Sequence, residues 1–90
     1  MNGWRVSFSD EALRDFSRLD RSVRLQVDER IAWLATNFDH ITPLPLHEDL
    51  KDHFKLRAGD WRVVYTIEQP AKVLKVREIK HRSKVYKRRK

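Results

Sequence analysis

No cysteine occurs anywhere in the chain, which excludes a disulfide framework and thiolate metal sites and fits a reducing compartment. Long hydrophobic runs are also missing: the longest apolar stretches fall far short of a membrane span. The opening Met1-Asn2-Gly3-Trp4-Arg5 does not lead into the apolar core of a signal peptide. The expectation is a soluble, cytoplasmic protein without a membrane partner. Its 90 residues suffice for a single domain spanning 1–90, with one modest core and one site. Compact metal-ligand spacing is lacking too. His40, His47 and His53 lie near Glu48, Asp49 and Asp52, but none forms a pair four apart on a helix, so neither a metal nor another cofactor is expected.

Acid is scarce in one half of the chain only. Residues 1–52 carry 7 basic and 10 acidic side chains, a net −3, whereas residues 53–90 carry 13 and 3, a net +10. The excess persists without the KRRK tail. Cations gathered in one region predict a polyanionic partner, most simply nucleic acid, because each phosphate contact releases condensed counterions.

Trp4, Val6 and Phe8 alternate with Arg5 and Ser7, the period of a half-buried strand. Ser9 then offers an N-cap, with Asp10 and Glu11 placed where the helix dipole favours carboxylates. In the helix that follows, Ala12, Leu13, Phe16 and Leu19 are expected to form the apolar stripe, with Arg14, Asp15 and Arg18 pointing away. Asp20 caps a second, longer helix. There Val23, Val27, Ile31, Leu34 and Phe38, at spacings of four, four, three and four, share one face. Trp33 lies on its flank, as partly buried packing.

Between Asn37 and His53 the periodicity dissolves. Pro43 and Pro45 forbid a regular helix or a central strand, so an ordered loop laid over the core is expected. Three strands follow as an antiparallel meander. Phe54 and Leu56 alternate with Lys55 and Arg57, Gly59 supplies the positive φ of a tight turn, and Trp61, Val63, Tyr65 and Ile67 continue the apolar face. From Val73 to Lys80 the alternation breaks: Leu74 and Val76 share a parity with Lys80, Val73 and Ile79 with Lys75 and Arg77. A bulge or a strand apolar on both sides accounts for this equally well. The final HRSKVYKRRK reads as a short helix or a loose basic tail. The fold class is therefore α+β, of order β-α-α-β-β-β, with a two-helix hairpin on one face of a largely antiparallel sheet and the other face open.

On that open face the alternation places Lys55, Arg57 and Arg62, followed from the last strand's end by Lys80, His81, Arg82 and Tyr86. Such cations hold a phosphodiester, arginine through bidentate bonds and lysine as a point charge, and stabilise the extra negative charge of a pentacoordinate phosphorus. RNA brings its own nucleophile, the 2′-hydroxyl. A nuclease that uses it needs a base and an acid, and His81, Tyr86 or a lysine of depressed pKa suits those roles. A nucleic-acid or ribosome binder without chemistry, and a protein-interaction module, present the same strand pattern.

FKLRAGDWRVVYTI, a hydrophobic strand and HRSKVY together resemble the signature of the RelE/ParE superfamily of toxins from type II toxin–antitoxin pairs, in particular its RelE branch. The opening strand, the Ser9-x-x-Ala12-x-x-x-Phe16 start of the first helix and the helical hairpin extend the resemblance over nearly the whole chain. It implies a RelE-like ribonuclease fold that cuts mRNA in the ribosomal A site by 2′-hydroxyl attack, without metal, and is silenced by a cognate antitoxin. Carried over residue by residue, it implies that Arg62 contacts the scissile phosphate and that Lys55 activates the 2′-hydroxyl or stabilises the transition state. Tyr86 would stack on the substrate base, Lys80 would act as general acid or leaving-group stabiliser, and His81 and Arg82 match the common His-Arg pair. The catalytic set is thus Lys55, Arg62, Lys80, His81 and Tyr86, and the RNA-binding set Lys51, His53, Arg57, Arg82 and Lys84. Two positions depart from the pattern, His53 where a lysine is expected and Lys80 where an arginine is, and either departure can move acid–base work onto His81. A ParE-type gyrase poison and an inactive relative that binds only RNA or antitoxin are the alternatives within the same fold.

Overall fold

The computed structural model describes residues 3–47 and 50–85, the side chains of Leu50 and Lys51 excepted. Glu48, Asp49, Tyr86 and the KRRK tail lie outside the described residues, as does the Lys51 side chain. The element order is β1 (Arg5–Phe8), α1 (Asp10–Arg18), α2 (Arg21–Asn37), a 3-10 turn (Phe38–His40), β2 (Leu44–His47), β3 (Leu50–Ala58), β4 (Trp61–Glu68), β5 (Val73–His81) and α3 (Arg82–Val85). No helix among the described residues is long and apolar enough to cross a membrane.

Both helices start where their caps predict. Ser9 Oγ accepts the Ala12 N–H at 3.1 Å, and Asp20 Oδ1 accepts the Val23 N–H at 3.1 Å, so each side chain satisfies one of the amides that the first turn leaves unpaired. On α2, Val27, Ile31 and Leu34 are buried as their spacing requires, and Phe38 is buried just beyond its end. On α1 the stripe differs from expectation. Leu13 is 53% exposed, and Asp15 is buried beside Ala12, Phe16 and Leu19. Position 15 is three residues after Ala12 and four before Leu19, so helical geometry puts it on the buried face whatever its charge.

The five strands pair in the order β1-β5-β4-β3-β2, with β1 parallel to β5 and the other pairs antiparallel. One strand more than expected is present, because Leu44–His47 pairs with β3 rather than lying over the core as a loop. Pro45 tolerates this because β2 is an edge strand, where a missing N–H breaks no inner ladder. β3 begins at Leu50.

A bulge explains the broken alternation of β5. Val64 faces Glu78 while Tyr65 faces Val76, so Arg77 is the extra residue and the side-chain phase resets around it. Leu74, Val76 and Ile79 can then all turn into the core formed with Val27, Ile31, Leu34, Leu56, Val63 and Tyr65 under the helices. The opposite face is not wholly open. There α3 lays Val85 against Val64 and Leu46, a second small apolar cluster.

The free edge of β5 decides where the site ends. β1 covers only Val73 to Val76. Beyond it α1 supplies the partners: the Ser9 N–H donates to Val76 O at 2.9 Å, the Ser9 hydroxyl to Arg77 O at 2.8 Å, and Asp15 Oδ2 accepts the Ile79 N–H at 2.9 Å. Side chains of one helix thus continue the ladder that a strand began.

Candidate active site

Strand register builds a row of cations across three strands. Arg57 on β3 is paired with Arg62 on β4, which is paired in turn with Lys80 on β5. Directly paired residues share a face, here the one turned away from α1 and α2. One row further along the strands, about 6.6 Å away, Lys55 stands opposite Val64 and Val64 opposite Glu78.

Arg62 is the centre of the row and is buried, with 8% of its surface exposed. A buried guanidinium must be hydrogen-bonded, and Nη1 donates to the carbonyls of Gly59 and Trp61, both at 2.9 Å. The β3–β4 turn that positions these carbonyls depends on Gly59, whose φ is +63°. Arg57 is exposed and Lys55 half-buried. Arg57 O accepts Arg30 Nε at 2.9 Å, which ties the strand end to α2.

Lys80 starts in the row and leaves it. Its ammonium turns to α1, 3.1 Å from Asp15 Oδ1 and 3.1 Å from Glu11 Oε2. Partial burial disfavours the charge, but the hydrogen bonds that the ammonium donates to Asp15 and Glu11, and the negative charges of those carboxylates, outweigh it and hold Lys80 above the ordinary lysine value. Such a group is a fixed cation, the reverse of a lysine tuned to move a proton at neutral pH.

His81 does not join Arg62. It is paired with Trp61, whose face it shares, and the two rings meet edge to face at 5.4 Å and 89°. The Ser83 N–H donates to His81 Nδ1 at 3.2 Å, and Ser83 Oγ lies 2.9 Å from the same nitrogen, so His81 caps the short α3. The broken alternation of β5 leaves open which of Lys80 and His81 shares the face of Arg62; the register pairs Lys80 with Arg62, and strand period puts its neighbour His81 on the opposite side.

The remaining candidates spread around this centre. Arg82 is tied to the β3–β4 turn, through its N–H to Asp60 O at 2.8 Å and through Nε at 3.7 Å from Asp60 Oδ1. Lys84 is exposed and lines a cavity of about 240 Å³ with Arg18, Trp61, Lys80 and His81. His53 Nδ1 lies 3.0 Å from Asp52 Oδ1, a hydrogen bond that holds the Asp52 carboxyl below its usual range. His53 also lines a separate cavity of about 340 Å³ with Val64, Arg77, Glu78 and Val85. In that cavity the bulge residue Arg77 donates from Nε to Thr66 Oγ1 at 3.1 Å. Tyr86 and the Lys51 side chain lie outside the described residues. Among the described residues no three His, Asp or Glu side chains converge as a cation site.

Arg18, Trp61, Asp15, Glu11 and Arg77 were not singled out by sequence reasoning. For Asp15 a signal existed, its position in the buried stripe of α1. For Arg77 none did, since its placement depends on a bulge that only pairing with β4 defines.

The arrangement can bind a phosphate at the Arg57–Arg62 row and supply fixed positive charge beside it. Known proteins place it in context. Residues 6–86 match the profile of the family described as ParE toxin of type II toxin–antitoxin system, parDE. A toxin named RelE from Mycobacterium tuberculosis (strain ATCC 25618 / H37Rv) is 30% identical over 83 residues, covering 92% of this chain and 86% of that protein. Among solved structures, the RelBE2 toxin–antitoxin complex of M. tuberculosis superposes with a TM-score of 0.77 at 23% identity, covering 89% of this chain and 99% of that one. Free E. coli RelE toxin, in a mutant form, gives 0.74 at 23% identity, covering 96% and 93%. A YoeB/ParE toxin from Agrobacterium tumefaciens gives 0.70 at 17% identity, covering 86% and 96%. With the profile spanning residues 6–86 and a 30% identical relative that aligns with 92% of this chain, the protein belongs to the RelE/ParE superfamily of toxins from type II toxin–antitoxin systems.

Proposed function

We propose that the protein is an endoribonuclease that cuts mRNA in the ribosomal A site and so stops translation. The observation that carries this reading is the cross-strand row Arg57–Arg62–Lys80 with Lys55 one row on. In the reaction the RNA 2′-oxygen attacks its own phosphorus, giving up its proton, and the bond to the 5′-oxygen breaks as that oxygen takes a proton. The products are a 2′,3′-cyclic phosphate and a free 5′-hydroxyl. Arg62, its plane set by two carbonyls through Nη1, offers Nε and Nη2 to the phosphate oxygens. Lys55 stands where it can stabilise the developing charge or the attacking oxygen. Lys80, held charged by Asp15 and Glu11, contributes field rather than a proton. His81, turned to Trp61, takes no acid–base part at Arg62 in this assignment. Tyr86 keeps the base-stacking role that the resemblance assigns.

The protein partner in this reading is a cognate antitoxin, as in the RelBE2 and archaeal RelE–RelB complexes whose toxin chains share this fold. A second reading, a gyrase poison, is favoured by the match to the ParE toxin profile. Primer extension on mRNA from translating ribosomes separates the two. New 3′ ends at A-site codons are expected. Intact mRNA together with inhibited gyrase supercoiling would instead establish the ParE-like action.

A further inference from the structure

Around the strand edge from the Arg57–Arg62 row, on the α1 side of the sheet, lies the cavity of about 240 Å³ at the end of the β4–β5 ladder. Its aromatic wall is Trp61 with His81, both half-exposed and locked edge to face at 5.4 Å. Its floor is apolar, from Leu19 and Ile79, which are 5% and 2% exposed. Two exposed cations from different elements flank it, Arg18 on the last turn of α1 and Lys84 on α3. The carboxylate in its lining, Asp15, is already engaged by the Ile79 N–H and the Lys80 ammonium, so its charge is compensated.

An aromatic wall, an apolar floor and flanking cations together form the recognition set for one unstacked nucleotide: the base meets rings and the phosphate meets cations. The volume suits a single base and lies below that of sites for larger ligands. We propose that this cavity is a second RNA subsite, which takes one nucleotide of a single strand with its base against Trp61 and His81 and its phosphate between Arg18 and Lys84. It rests on the ribonuclease reading for the identity of the polymer. Lys80 links the two sites, since its backbone lies opposite Arg62 while its ammonium and the cavity both lie toward α1. A strand leaving the row over the end of β5 passes it.

Three tryptophans, Trp4, Trp33 and Trp61, make the test direct. A single-stranded trinucleotide with 2′-O-methyl sugars, which lacks the attacking hydroxyl, is titrated into the full chain while the indole N–H resonances are followed. Trp61 should shift and saturate, whereas Trp4, whose Nε1 is bonded to Asp39 at 2.9 Å, and Trp33 on α2 should stay. The Arg18→Ala/Lys84→Ala protein, both changes being at exposed positions, should bind about tenfold more weakly. No Trp61 response, unchanged affinity in the double variant, or an equal Trp61 shift with an oligo-glutamate peptide of the same charge overturns the subsite. If the wild type cleaves ribosomal mRNA but Trp61 is silent, the subsite alone fails. If Trp61 responds but no mRNA is cut, the subsite stands and the ribonuclease reading falls.

Discussion

Asp15 is the residue whose loss should be felt most for its size. Its carboxylate does two jobs from a buried position: Oδ2 closes the β5 edge by accepting the Ile79 N–H at 2.9 Å, and Oδ1 holds the Lys80 ammonium at 3.1 Å. Asp15→Ala orphans a buried amide donor, at about 1–3 kcal/mol. It also leaves Lys80 with Glu11 alone, at about 0.5–1 kcal/mol because that ammonium is partly solvated. The sum, about 1.5–4 kcal/mol, corresponds to a fall in Tm of roughly 6–32 °C in a domain of this size. Asp15→Asn keeps an oxygen for the Ile79 N–H and loses only the charge, so it should cost about 0.5–1 kcal/mol. Glu11→Gln should cost under about 1 kcal/mol, since Glu11 is 44% exposed in its side chain. Urea titrations followed by circular dichroism, with m unchanged, give these differences directly. An Asp15→Ala protein within about 0.5 kcal/mol of wild type would refute the ladder argument, as would an Asp15→Asn protein no more stable than Asp15→Ala.

Other outcomes follow from the same structure. Arg62→Lys retains charge but not the planar fork, and single-turnover cleavage of ribosome-bound mRNA should fall by about 100-fold or more with the far-ultraviolet spectrum unchanged; equal rates would remove Arg62 from the phosphate site. Burial raises the Tyr65 phenol to about 12, so its contribution to stability is complete below pH 10.0 and is lost as the pH climbs through the folded value. Lys80, also raised, follows the same sign above its ordinary 10.5. Denaturant titrations across that alkaline window should therefore show falling stability, with a shallower slope in Tyr65→Phe; identical slopes would contradict the burial assignment. Gly59→Ala strains a backbone at φ +63° and brings a Cβ to 2.6 Å from the end of the Gln26 side chain, which is flexible enough to move. Its cost should be the backbone term, about 1–2 kcal/mol in thermal or urea unfolding, and a neutral effect would show that the turn adopts another form.

Local periodicity and capping chemistry made much of this protein legible. The Ser9 and Asp20 caps, the α2 stripe from Val23 to Phe38, the Gly59 turn and the common face of Lys55, Arg57 and Arg62 all depend on residues within a turn or two of one another. The charge of Asp15 points it outward in the sequence, whereas its place between Ala12 and Leu19 on the helix buries it. Pro43 and Pro45 exclude a regular helix or an inner strand, and the segment expected as an ordered loop pairs instead as the edge strand β2.

The common face of Lys55, Arg57 and Arg62 was determined by the sequence itself, because strand period alone assigns residues to faces. What became of it at β5 was decided by tertiary structure. A bulge at Arg77 resets which side each later residue takes, so Lys80 lies opposite Arg62 and His81 opposite Trp61. The end of β1 at Phe8 leaves the rest of the β5 edge to α1, which draws the Lys80 ammonium onto Asp15 and Glu11. Both effects arise from pairing between segments more than ten residues apart in the chain, where one strand's register and another's length, rather than the order of residues, set the geometry.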